Sequence, residues 1–69
     1  MIRSDQELEA TKERLRYFQQ QVEKLRQLET NPQNYRLSAS GYLAEIDRMN
    51  LELREYLSLH PSDLKEQAA

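Results

Sequence analysis

Apolar residues recur along this chain in two runs, each stepping alternately by three and four residues. In the first, Leu8, Thr11, Leu15, Phe18, Val22 and Leu25 follow a 3-4-3-4-3 spacing, and the positions between them are mostly charged or Gln. That spacing keeps one narrow stripe of a helix turned toward a partner helix. In the second run, Tyr35, Ala39, Tyr42, Ile46, Met49, Leu53 and Tyr56 repeat at 4-3-4-3-4-3, the same seam read in a second helix.

Start and stop signals bracket both runs. Ser4-Asp5-Gln6-Glu7 is an S-x-x-E capping box, with the Ser4 hydroxyl placed to accept from the Glu7 amide. Asp5, Glu7 and Glu9 add negative charge near the positive end of the helix dipole. The stripe continues to Leu28 and meets Thr30-Asn31-Pro32, where Asn31 suits an N-cap and Pro32 the first position of a new helix. Helix one is expected over 5–29, a turn at 30–31 and helix two over 32–58. Ser38 or Ser40 offers an alternative start for helix two, which would discard the in-register Tyr35. His60-Pro61 should end it, and Ser62-Asp63 could cap one further turn from Leu64 to Gln67 inside a fraying tail, 59–69.

A two-residue connection forces helices of this length antiparallel, so the expected fold is all-α: a single-domain, coiled-coil-like αα-hairpin. The core should comprise Leu8, Leu15, Phe18, Val22 and Leu25 against Tyr35, Tyr42, Ile46, Met49, Leu53 and Tyr56. Helix two carries more apolar surface than helix one can cover. Leu43 and Leu57 flank the seam, and Leu37, Ala44 and Leu51 recur every seven residues beyond them. These five are the candidates for self-association, and the expectation is a homodimer, two hairpins paired through helix two as a four-helix bundle. Asn50, flanking the seam, is expected to select register.

Composition sharpens this picture. A chain of 69 residues buries only about 60% of the surface its unfolded form exposes, so help from a partner is expected. With no cysteine, disulfide staples are excluded. No apolar stretch approaches the length of a membrane span or a leader, which points to a cytoplasmic protein without membrane partners. Ten basic against 12 acidic residues leave a net charge of −2, a field that does not draw in a phosphate backbone, so nucleic acid is not an expected partner.

Candidate chemistry is sparse. Tyr35, Tyr42 and Tyr56 could stack bases, but they lie on the seam with no basic groove between them and read as core. His60 is the only histidine; it has no nucleophile or second histidine to work with and reads as a cation near a helix C-terminus. Glu13, Glu23, Glu45 and Glu52 stand at helical neighbour spacings from Arg16, Arg26 and Arg48, the build of a solvated face. The Glu-x-x-His motif of a di-metal bundle is absent, and the single glycine, Gly41, makes no phosphate loop. No enzyme activity, metal or cofactor is therefore expected. Lys12, Arg14 and Arg16 form one local basic cluster, diluted by Glu7, Glu9 and Glu13, and read first as a solvated helix face, with Tyr17 off the stripe beside them; all four are also candidate partner contacts, and the cluster could touch RNA.

Ile2-Arg3-Ser4-Asp5, Thr11-Lys12, Leu15 and Phe18, followed by Pro32, Tyr42-Leu43, Glu45-Ile46, Leu53 and Tyr56-Leu57, resemble the N-terminal helical region of HigA-type bacterial antitoxins. The resemblance spans most of residues 2 to 57. It implies a helical segment of the kind that precedes a helix-turn-helix domain, or stands alone, and neutralisation of a RelE- or HigB-type ribonuclease toxin by covering its surface. Nothing after residue 57 is long enough for a helix-turn-helix, so DNA binding is not expected to carry over.

Overall fold

Helix α1 spans Asp5–Leu28 and α2 spans Pro32–Leu57, in a computed structural model that describes residues 1–63. Both helices begin where the sequence places them and end one residue earlier than expected, leaving a connection at residues 29–31. Ser4 is the N-cap of α1, its side chain accepting from Glu7 N at 3.1 Å. Glu7 reaches back to Arg3 N at 2.6 Å, one residue before the cap, so the reciprocal half of the capping box is shifted by one position. Asn31 caps α2 by accepting from both Gln33 N (2.9 Å) and Asn34 N (3.3 Å), and Pro32 follows directly. That double cap is why α2 starts at Pro32 and not at Ser38 or Ser40. Ser40 lies inside the helix, its hydroxyl donating to Leu37 O.

The two helices lie side by side in one layer, within extents of 52 × 16 × 14 Å, and among the described residues each has the other as its helical neighbour. Their register is fixed by two cross-helix contacts. The Phe18 and Tyr42 rings meet with centroids 5.7 Å apart, and Tyr56 Oη donates to Asp5 Oδ1 at 2.7 Å near the open end. Every expected seam residue is buried or half-buried, with Met49 and Ala39 the most enclosed at 1% exposure each. Thr11 occupies its seam position by turning its hydroxyl back to Glu7 O at 2.9 Å, which satisfies the polar group inside its own helix.

Two apolar residues behave contrary to the periodic reading. Leu28 is 78% exposed: the heptad step after Leu25 falls on Glu29, half-buried, and Leu28 comes one position early. Ile2, outside either helix, is only 4% exposed and forms a cluster with Leu8 and Tyr56, with Leu53 packed against it. This is a hydrophobic staple moved one residue outward, since Ile2 lies two positions before the cap and Leu8 four after it.

At the other terminus the expected cap moves as well. His60, not Ser62 or Asp63, starts the next turn: His60 Nδ1 accepts from Ser62 N at 3.1 Å while Asp63 Oδ2 accepts from His60 N at 3.0 Å. His60 thus serves as the capping group of this turn. The expected turn from Leu64 to Gln67 lies outside the described residues.

Candidate functional site

The hairpin spends the apolar seam of α2 on α1 and has nothing left for its outer side. Leu37 is 72% exposed, Leu43 44%, Leu51 53% and Leu57 64%, and Ala44 is exposed among them. On a heptad, Leu43 and Leu57 stand beside the seam while Leu37, Ala44 and Leu51 stand on the far side of a polar row formed by Ser40, Asp47 and Arg54. From Leu37 to Leu57 the strip is about 30 Å long. All five residues expected to mediate self-association are thus on one accessible side of one helix. Asn50 lies on this same side and is exposed, so it does not set the register of the hairpin; that is done by the Phe18–Tyr42 and Asp5–Tyr56 contacts.

The basic residues of α1 do not form one patch. Lys12 pairs with Glu9 at 3.2 Å, and Arg16 is exposed on the side that Lys12 shares. Arg14 projects elsewhere, because residues two apart on a helix do not face the same way. It borders a shallow, open polar groove with Glu7, Thr11, Arg48 and Glu52, where the two carboxylates offset the two guanidinium groups. Tyr17 is 55% exposed and sets its ring edge-on to Phe18, 5.7 Å between centroids, so half of its surface supports the core aromatic.

Among the described residues two titratable groups are displaced from their ordinary behaviour. The Tyr56 hydroxyl is held above its usual 10.0, first by the hydrogen bond to Asp5, then by burial and by the negative charges of Asp5 and Glu7. Arg48 is held above its usual range by its hydrogen bond to Glu45, then by the charges of Glu45 and Glu52. This pairing matches the spacing in the sequence, whereas no ion pair joins Glu13 to Arg16 or Glu23 to Arg26. Both displaced groups belong to structural contacts. Among the described residues no three of His, Cys, Asp and Glu gather as metal ligands, and no helix is long and apolar enough to cross a membrane.

Sequence periodicity missed Ile2 as a member of the cluster that closes the open end. The available signal was the apolar residue just ahead of the Ser4 cap, matched to Leu8 one turn into the helix. Comparison with protein-family models, with curated proteins and with solved structures finds no match to this chain.

Proposed function

We propose that this chain is a protein-docking module without chemistry of its own, and that the outer side of α2 is the surface that receives a partner. The observation behind this reading is the row of four exposed leucines, Leu37, Leu43, Leu51 and Leu57, on one helix of a single-layer fold. A solitary exposed leucine needs no explanation, but several on one side of one helix are the usual mark of an interaction surface. Covering them recovers roughly 1–2 kcal/mol each, scaled from the value for a fully buried leucine. For a chain of this size that is comparable with its whole folding free energy.

Two hairpins paired through this side would complete an antiparallel four-helix bundle. The resemblance to the helical region of HigA-type antitoxins supplies the hetero-partner to try, a RelE- or HigB-type ribonuclease. The test is a Leu43→Ser/Leu57→Ser double variant followed by sedimentation, thermal melting and inhibition of such a ribonuclease. Loss of assembly or of inhibition, with both retained in Tyr17→Ala, supports the docking surface. If the double variant retains assembly and inhibition while Tyr17→Ala loses either, the surface lies on α1 instead.

A further inference from the structure

The two sides of the helix seam are built differently. In an antiparallel pair, equivalent flanking positions of the two heptads share a side. One side is roofed. Gln21, Glu45 and Glu52 are half-buried there, Arg48 bridges the two glutamates, and Met1 and Ile2 line it beside Glu52. Among the described residues nothing roofs the opposite side. Lys12, Gln19 and Arg26 of α1 flank it together with Arg36, Leu43 and Leu57 of α2, all exposed. Beneath them Leu15, Val22, Ile46 and Leu53 are only half-buried, so the floor of this open groove is aliphatic.

The charges along the open groove point to its occupant. Asp5 is taken up by the Tyr56 hydroxyl at 2.7 Å and Lys12 by Glu9 at 3.2 Å. Arg26 and Arg36 differ, since neither joins an ion pair among the described residues. One heptad from the Phe18–Tyr42 contact toward the connection, Leu25 comes level with Tyr35. Arg26 and Arg36, each the next residue, flank that layer on the open side. Two guanidinium groups therefore edge the same stretch of groove, and an acid placed between them replaces their repulsion by attraction.

We infer that this groove receives an amphipathic helix of another protein, apolar along its inner stripe and acidic where it passes Arg26 and Arg36. The inference rests on the docking reading above and narrows it to the edge that α2 shares with α1, adding the chemistry of the partner. A helix fits because the groove runs parallel to two helices for about 30 Å, with Leu43 and Leu57 at heptad spacings along it. A third helix there is covered on two sides by the hairpin and completes a three-helix layer. A phosphate backbone would satisfy the arginines and leave the leucines in water.

The test uses two dye-labelled synthetic helices of about three heptads, with leucine along the inner stripe and either glutamate or lysine at the flanking positions. Binding to the full chain is read by fluorescence anisotropy at low and high salt. The glutamate helix should bind about three- to thirty-fold more tightly than the lysine helix, the range of two exposed charge pairs, with the gap narrowing as salt rises. Arg26→Glu/Arg36→Glu should reverse the preference, and Leu43→Ser/Leu57→Ser should weaken both helices. Equal binding of the two helices, or a preference that survives the arginine reversal, overturns the acidic partner while the docking surface stands. Binding indifferent to the leucine double variant overturns the groove. Failure of both helices to bind also overturns it, and the assembly and ribonuclease assays then decide the docking reading separately. Single-stranded RNA that binds the leucine double variant as well as the parent chain, and loses binding on arginine reversal, assigns the pair to phosphate and overturns the proposal.

Discussion

Replacing Ile2 by alanine tests whether the segment ahead of α1 is part of the core. Ile2 is 4% exposed against Leu8 and Tyr56, so the substitution removes three carbons that are almost fully buried. At about 0.8 kcal/mol per buried CH₂ the loss is about 2–2.5 kcal/mol. The cavity contribution should be small because the site is at the end of the hairpin, where neighbours can close in. A folding free energy of about 3–10 kcal/mol for a chain of this length makes the loss a large fraction of the total. It should lower the melting temperature by about 10–15 °C, measured by far-UV circular dichroism at fixed protein concentration. Leu28→Ala is the control, since it removes the same number of carbons from a side chain that is 78% exposed and should move the melting temperature by less than about 3 °C. A shift of that small size for Ile2→Ala, or a larger one for Leu28→Ala, would refute the packing described for the open end.

Other expectations follow from the caps, the lone glycine and the buried hydroxyl. Asn31→Ala removes the acceptor for two amides and should cost about 1 kcal/mol in denaturant unfolding, with little change in the slope of the transition. Gly41→Ala should stabilise the fold by about 0.5–1 kcal/mol, because a Cβ there meets nothing within 4 Å and alanine restricts the unfolded chain; a destabilised variant would mean the position is covered. The Tyr56 hydroxyl is held above its ordinary 10.0, so the folded state favours its protonated form. Its contribution is complete below pH 10.0 and is lost as pH rises through the folded value. Tyr56→Phe should abolish that alkaline step in melting temperature and lower the melting temperature at neutral pH.

Most of the hairpin was readable because burial in a two-helix layer follows a single periodic rule. Each residue from Leu8 to Leu25 and from Tyr35 to Tyr56 on the heptad found a position against the opposite helix, and Asn31-Pro32 marked the turn chemically. The rule reaches only residues that are on the heptad and in a helix. Leu28 comes one position before the heptad step at Glu29 and is left uncovered, and Ile2 packs from an extended segment to which no helical period applies. His60 follows the end of α2, as its position suggested, and its local hydrogen bonds to Ser62 and Asp63 also make it the start of the next turn. The exposed side of α2 was legible as surplus apolar surface, but the hairpin alone contains nothing to cover it.

The contact between Tyr56 and Asp5 joins residues 51 apart in sequence, while Phe18 and Tyr42 are far closer along the chain and the Glu29–Asn31 connection is closer still. Loop-closure entropy therefore orders assembly from the turn outward, with the open end zipping last. Substitutions at Asn31 should slow folding, whereas those at Ile2 and Tyr56 should leave the folding rate nearly unchanged and speed unfolding. The cluster at the open end is thus the clasp that sets how long the hairpin stays closed, and kinetic persistence can be tuned there without disturbing how the chain finds its fold.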